Sequence, residues 1–321
     1  MRNWMFIISV FLLAACNEVV YLRNDEKPVL VLYAILEAGC DSMRVELTET
    51  KGTYDKSPWR RFPEAEVRVY EEGELLGVAE YQPTDSSFVL RQPVRAEKTY
   101  RIEAQVAGKG MVWGETCVPE EIADCKAELW YERKEIGTPR WMASHHWTDT
   151  FGKKNYYWFC ADNLTYDHDG KTLIWEEVYI LDSDSPLPDQ FNRWSWLGEG
   201  DEYTERGYSS YIRVEDMGMD GYNMQLSHRI DARCSWGEML KVTSTMLNVD
   251  QHLDAYQKFA LEWQHNAFPF DDEFTWTLHY VPVYSNVQGG GGLVASYSSV
   301  VTLLEIEEDV EGLYGPGERV K

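Results

Sequence analysis

Positive charge is what this chain has least of: 30 Lys and Arg stand against 54 Asp and Glu in 321 residues, a formal net charge of −24. A surface of that sign repels phosphate backbones and anionic headgroups, which excludes nucleic-acid binding. The acids fall in small groups, Glu71-Glu72, Glu120-Glu121, Glu176-Glu177 and Asp271-Asp272-Glu273, spread as on a solvated surface and not gathered in a tail. Long apolar runs are missing after the first 13 residues, so the body of the protein offers no bilayer-spanning helix.

Catalytic and metal signatures are equally scarce. No paired CxxC or Cys/His ladder suggests structural zinc. No Gly-x-Ser-x-Gly elbow presents a nucleophile. Gly289 to Gly292 leads into Leu293-Val294-Ala295 and not into the Gly-Lys-Ser/Thr of a phosphate loop, so it reads as a hairpin or bulge with positive φ angles. Asp167-His168-Asp169-Gly170 and Asp182-Ser183-Asp184 lack the third ligand and distal glutamate of a calcium loop and read as turns. His145 and His146 are adjacent, and in a strand they would point to opposite faces. With 54 acids, any carboxylate pair can be nominated for glycoside hydrolysis, so abundance removes the information. The expectation is a protein with no cofactor and no metal that is not an enzyme.

What is present begins at the N-terminus. Met1-Arg2-Asn3 is a short positive region, Trp4 to Leu13 is an apolar stretch too short to span a bilayer, and Leu13-Ala14-Ala15-Cys16 places small residues before a cysteine. This is the arrangement of a lipoprotein signal peptide over residues 1–15, with Cys16 as the lipid attachment site. Several acyl chains on Cys16 give durable anchoring without spanning. Five cysteines remain, Cys40, Cys117, Cys125, Cys160 and Cys234, an odd set in an export context. Cys117 with Cys125 could close a short loop and Cys160 with Cys234 could join two strands, but spacing establishes neither.

Residues 16–28 are polar and end in proline, as a tether would. Over 29–119, about seven short strands follow: Val29 to Leu36, Met43 to Thr48, Ala65 to Tyr70, Leu75 to Tyr81, Ser87 to Leu90, Thr99 to Val106 and Met111 to Val118. That count fits an immunoglobulin-like sandwich. Pro119 to Asp124 reads as a linker into a larger β-rich domain, 120–321. In it Asn155 to Ala161, Leu173 to Leu181, Met239 to Leu247, Phe274 to Val283 and Ser298 to Glu307 favour strand. Tyr222 to Asp231 alternates strictly, with Tyr222, Met224, Leu226, His228 and Ile230 on one dry face. One amphipathic helix is expected over Gln251 to Gln264, with Asp250 as its N-cap.

Aromatic residues are the remaining clue. Trp194 and Trp196 are two apart, and Tyr208 and Tyr211 follow in a polar, glycine-bearing stretch, so the four could form a loop platform for a glycan or peptide ligand. The competing reading is that large rings fill a broad β core.

As an ordered set, several landmarks resemble the domain-of-unknown-function family 4249, lipoproteins of Bacteroidota-type outer membranes. They are Cys16 followed by Val29 to Leu36, Pro63-Glu-Ala-Glu-Val-Arg-Val-Tyr70, Lys98 to Ala104 leading to Cys117-Val-Pro119, and Pro282-Val-Tyr-Ser-Asn286 with the glycine run and Ala295-Ser-Tyr-Ser-Ser299. The resemblance implies an immunoglobulin-like N-terminal domain, a β-rich C-terminal domain and genes beside TonB-dependent transporters; it supplies no activity. The expected role is an accessory lipoprotein anchored in the cell outer membrane, surface-exposed more than periplasmic, that captures a ligand or docks on a TonB-dependent transporter. The alternatives are a structural or adhesive envelope protein and a hydrolase with an unrecognised carboxylate pair.

Overall fold

The computed structural model describes residues 27–52, 55–132, 140–166, 173–178, 180–182, 212–216, 221–230, 239–267, 283–306 and 319–320. The architecture is mainly β, and among these residues a single helix accompanies the strands.

Alternation sets the first module. β1 (Leu30–Glu37) buries Leu30, Leu32, Ala34 and Leu36, and β2 (Met43–Glu49) buries Met43, Val45 and Leu47, each turning its intervening residues outward. β3 (Glu66–Glu71), β4 (Glu74–Gln82), β5 (Ser87–Leu90), β6 (Thr99–Val106) and β7 (Gly110–Cys117) follow where the sequence pattern places them. Their order is β1-β2-β5-β4-β3-β6-β7. β4 joins two layers, because Glu74 to Ala79 pair with β3 while Glu80 to Gln82 pair with β5. The sheet therefore folds over a single core that includes Leu32, Val45, Val69, Phe88, Ile102 and Val112. Glu72 and Gly73, with φ of 50° and 84°, make the β3–β4 turn, the consecutive left-handed residues that match hairpin twist.

Tyr100, near the start of β6, is fully buried. Its hydroxyl accepts from the Arg95 N–H at 2.9 Å and donates to Glu71 Oε2 at 2.9 Å. A tyrosine bonded back to the preceding corner in this way marks immunoglobulin-like sandwiches. Burial pushes its pKa up to about 12.

The second module comprises β8 (Ala123–Glu132), β9 (Arg140–Thr148), β10 (Tyr156–Tyr166), β11 (Leu173–Val178), β12 (Ile180–Asp182), β13 (Ile212–Glu215), β14 (Asn223–Ile230), β15 (Met239–Val249), α1 (Gln251–Ala267), β16 (Gly291–Ile306) and β17 (Arg319–Val320). β8 begins inside the stretch expected to be linker, and a register shift between Ala123 and Lys126 irregularises its start. β9 shows no clean alternation, since Met142 to His145 are buried in succession on both of its faces. The expected strand over Phe274 to Val283 lies, apart from Val283, outside the described residues.

β16 belongs to both modules. Gly291 to Tyr297 pair in parallel with Val31 to Glu37 of β1, and Tyr297 to Ile306 pair antiparallel with β15. β15 pairs on with β10, whose far edge is shared end to end by β13 and β11. One continuous sheet thus runs through the molecule. A five-stranded sheet, β12-β14-β9-β8-β17, covers one face of β10 and β15, with Trp147 5.4 Å from Tyr157 and 5.2 Å from Phe159 between ring centroids. On the opposite face lies α1, whose Leu253 packs with Trp158, Val249, Leu293 and Ala295.

The glycine run is a close-approach device, as well as a turn. Gly289 (φ +77°) and Gly292 (φ +120°) are left-handed, and a Cβ on Gly292 would stand 1.9 Å from the Leu32 carbonyl oxygen. Just before the run, Gln288 and Trp113 exchange backbone hydrogen bonds of 2.7 and 3.1 Å. The chain thereby crosses from the β7 edge to the β1 edge and closes the open side of the sandwich.

Candidate functional site

Several polar groups of the second module converge on the loop between β9 and β10. Asp149 is buried, and its Oδ1 accepts from the Tyr157 hydroxyl at 2.6 Å and from Asn155 Nδ2 at 3.3 Å. Its Oδ2 accepts from the Gly221 N–H at 3.3 Å, and its own N–H donates to the Tyr222 carbonyl at 3.1 Å. One carboxylate therefore ties the β9–β10 loop to the residues preceding β14. Burial, then the bond to Asp149, pushes the Tyr157 hydroxyl far above its ordinary pKa.

The same loop is fastened to the first module. Lys153 Nζ donates to Glu97 Oε1 at 2.6 Å and to Glu120 Oε2 at 2.9 Å. These two bonds raise the Lys153 pKa, and Lys153 in turn holds the exposed Glu97 carboxyl below its ordinary range. The Glu120 carbonyl accepts from Ser298 Oγ at 2.6 Å and from Asn248 Nδ2 at 3.3 Å, which carries the network into β15 and β16. On this fixed base stand Phe151, 80% exposed, and Tyr222, 67% exposed. A Cβ built on Gly221 would meet the Phe151 side chain at 3.4 Å, so the two aromatics share one loop tip.

The tip lies at the end of the sandwich away from residue 27. β1 starts at the end where Val29 and Thr50 bond each other and finishes where Gly39 bonds Val94 and Glu97 bonds Val118. Lys153 meets Glu97 at that second end. Eight strand residues separate the two ends, about 26 Å at ~3.3 Å per residue.

Two buried charge clusters sit behind the loop. Asp250 caps α1 by accepting from the Leu253 N–H at 2.7 Å, as expected, and also from the Thr116 hydroxyl, which contacts Ser296 Oγ at 2.6 Å. Burial raises its pKa against the opposing pull of Thr116, the Leu253 N–H and His252. Arg213 of β13 grips Asp254 of α1 with a fork, Nε to Oδ1 at 2.6 Å and Nη2 to Oδ2 at 2.9 Å, and Trp158 Nε1 donates to the same Oδ1 at 3.0 Å. Burial opposes the Arg213 charge, yet Asp254 and then Glu215 more than offset it and raise its pKa. Both clusters bind elements together, Asp250 joining α1 to β7 and Arg213–Asp254 joining β13 to α1.

His145 lies within β9 with its Nε2 2.8 Å from Ser244 Oγ, both buried between the sheets, while His146 is half-buried on the other face. Among the described residues no group of three or more His, Cys, Asp and Glu is placed to hold a metal ion. Cys40, Cys117 and Cys125 are free thiols, and burial pushes the Cys125 thiol up to about 11.

Cys16, Trp194, Trp196, Tyr208 and Tyr211, the residues singled out from the sequence, lie outside the described residues, as do Asp167 to Gly170, Ser183 and Asp184. Tyr222 differs from its expected place on a dry strand face. Met224 and Leu226 are buried, but β14 starts at Asn223, so Tyr222 stands in the turn and is exposed. Phe151 escaped sequence reading altogether; the available signal was a lone aromatic in the polar segment Thr148-Asp-Thr-Phe-Gly-Lys-Lys154.

The profile of the domain of unknown function DUF4249 matches residues 17–302. The chain belongs to the DUF4249 family. No curated protein matches this DUF4249 chain. Among solved structures, the crystal structure of a Corynebacterium diphtheriae protein described as membrane anchored is similar over 69% of this chain and 54% of its own, with 12% identity and a TM-score of 0.21. This DUF4249 chain thus spans about half the length of that protein. No helix among its described residues is long and apolar enough to cross a membrane.

Proposed function

We propose that this protein is a lipid-anchored accessory protein of the outer membrane, tethered through Cys16, which captures a ligand or docks on a TonB-dependent transporter by contact. The observation that carries the reading is polarity of layout: the chain enters the sandwich at one end of β1, and the exposed Phe151–Tyr222 tip is fixed at the other. Exposed aromatic rings on a rigid base lose little freedom on binding and bury a large area, which suits recognition. The family match begins at residue 17, directly after Cys16, which agrees with a mature chain starting there. Asp250, a buried carboxyl with a raised pKa, is closed in by Thr116, Ser296 and the first turn of α1, which favours contact over bond-breaking.

Photo-crosslinking in native envelopes tests this. A photoactivatable residue at position 151 or 222 is expected to give adducts with an envelope protein or glycan, whereas one at Val78, exposed on β4, gives none. Absence of acyl groups on Cys16, or adducts no more frequent at 151 and 222 than at 78, overturns the reading. The continuous sheet through β16 favours one further role, that of a stiff spacer in an envelope or adhesive assembly.

A further inference from the structure

The outward face of β3, β6 and β7 carries a cleft of its own. Alternation sends Tyr100, Ile102 and Ala104 of β6 and Val112 and Thr116 of β7 into the core, so the residues between them face out. Register sets these outward residues in rows: Tyr70, Arg101 and Glu115 lie side by side across the three strands, and Arg68, Glu103 and Trp113 form the next row. Tyr70, Gly73, Thr99, Arg101, Glu103 and Glu115 line a hollow of about 280 Å³. Thr99 follows Glu97 by two residues, which puts the cleft at the end of the sandwich where Lys153 is held.

The cleft is built in advance of any ligand. The Arg101 guanidinium lies 3.9 Å from the centre of the Trp113 ring, and its Nη2 donates to Glu103 at 2.6 Å, so it is held from two sides. Glu72 Oε1 accepts from the Thr99 N–H at 2.8 Å and the Glu72 N–H donates to the Thr99 carbonyl at 2.9 Å, which ties the turn holding Gly73 to the start of β6. Glu115 is exposed, and its carboxylate has no ion-pair partner among the described residues.

Charge selects the ligand by elimination. The lining sets Arg101 against Glu103 and Glu115. Around it Arg68 pairs with Glu66, Arg95 with Glu71 and Lys153 with Glu97, Lys98 adjoins Thr99, and Glu72 and Glu74 stand at the turn. An anion would meet a lining with one more carboxylate than cation. A cation would come against the guanidinium, which shares a row with Glu115 and is bonded to Glu103. A hydroxyl both donates and accepts, so a neutral polyol can give a hydrogen to each carboxylate and receive one from Arg101 with no added charge to desolvate. None of the lining residues is Leu, Ile, Val or Met, which disfavours an apolar ligand.

We propose that this cleft binds a neutral saccharide, taking one sugar ring whose hydroxyls donate to Glu103 and Glu115 and accept from Arg101, beside Tyr70. The site is additional to the Phe151–Tyr222 tip and depends on neither the tip nor the lipid anchor.

The test is retention of the full-length purified product on immobilised oligosaccharides: neutral ones of glucose, galactose, mannose and xylose, with sialylated and amine-bearing ones as the anionic and cationic comparisons. Expected is retention on at least one neutral oligosaccharide, unchanged between about 0.05 and 0.5 M salt because the ligand has no charge to screen. Glu115→Ala and Arg101→Met should each weaken it about tenfold or more, as for loss of a hydrogen bond to a charged group, while Val301→Ala, at an exposed position of β16, leaves it unchanged. If Arg101→Met fails to fold, the exposed Glu115 position carries the test, with an unchanged melting temperature as its control. Retention on no neutral oligosaccharide, stronger retention on the sialylated or amine-bearing ones, or undiminished retention by Glu115→Ala overturns the site. Each of these outcomes leaves crosslinking from positions 151 and 222 as an independent result.

Discussion

Asn286 holds Val294 as a neighbouring strand would: its Nδ2–H donates to the Val294 carbonyl at 2.7 Å, and its Oδ1 accepts from the Val294 N–H at 2.9 Å. The second Nδ2 hydrogen reaches the Glu115 carbonyl of β7 at 3.1 Å. One amide thus pins the glycine-run loop at both ends while the loop bridges β7 and β1. Asn286→Ala leaves buried backbone groups of Val294 without partners and is expected to cost about 2–4 kcal/mol in urea denaturation. A loss below about 0.5 kcal/mol would show that water replaces the amide freely.

Neighbouring glycines in this loop make a sharper contrast. Gly292 combines a φ of +120° with a Cβ position 1.9 Å from the Leu32 oxygen, whereas a Cβ on Gly291 meets nothing within 4 Å. Gly292→Ala is expected to destabilise by about 3 kcal/mol or more, because the β1–β16 register must shift. Gly291→Ala should stay within about 1 kcal/mol of the parent. Equal melting temperatures for the two variants would refute the close-packing account.

The first module was legible because Val45, Val67, Val69 and Ile102 alternate with polar or amphipathic neighbours, and a two-residue period survives in any half-buried sheet. The helix was legible from Asp250 and the spacing of Leu253, Tyr256 and Phe259. β9 was not, since Ser144 and His145 occupy core positions that pattern reading assigns to apolar residues. β16 was placed only in its second half, because Gly291 and Gly292 depress strand propensity and their role is visible only beside Leu32. The aromatic tip was hidden for a related reason: the exposure of Phe151 and Tyr222 follows from long-range bonds of Asp149, which leave no periodic trace.

Tyr100 offers a test of the sandwich corner. Tyr100→Phe keeps the ring in the core but strands the Arg95 N–H and one partner of Glu71. The expected cost is about 1–3 kcal/mol by chemical denaturation, with no change in the slope of the transition. A neutral outcome would mean the corner is held by ring packing alone.

Asp250 gives the stability a pH signature. Burial raises its folded pKa above the unfolded value, so the ionised carboxylate is disfavoured in the native state. The contribution of this group is fully present below the unfolded carboxylate pKa and is lost as pH rises through the raised folded one. Asp250→Asn keeps an N-cap of equal quality, since the amide oxygen can accept from the Leu253 N–H while its nitrogen donates to Thr116. The variant should therefore gain on the parent between about pH 4 and pH 7, as read by denaturation midpoints across that range. If the parent gains instead, Thr116 and the Leu253 N–H outweigh burial. Asp250→Ala, without cap or acceptor, should lose about 1–3 kcal/mol at either pH.

Arg213 and Asp254 join β13 to α1 with side chains only 1% and 4% exposed. Their attraction was established at the cost of desolvating both charges, so removing one partner should be far worse than removing both. Arg213→Met leaves Asp254 with Trp158 Nε1 and the more distant Lys258 at 3.4 Å, and the expected loss is about 3–5 kcal/mol. Asp254→Leu removes both bonds of the guanidinium fork and should lose a similar amount. The double variant, with apolar side chains of comparable volume, should recover most of either loss, giving a coupling energy larger than either single loss in a double-mutant cycle. Additive losses would instead mean that Arg213 and Asp254 act through separate neighbours, with Tyr156, whose ring centroid lies 5.4 Å from the guanidinium, as the contact to alter next.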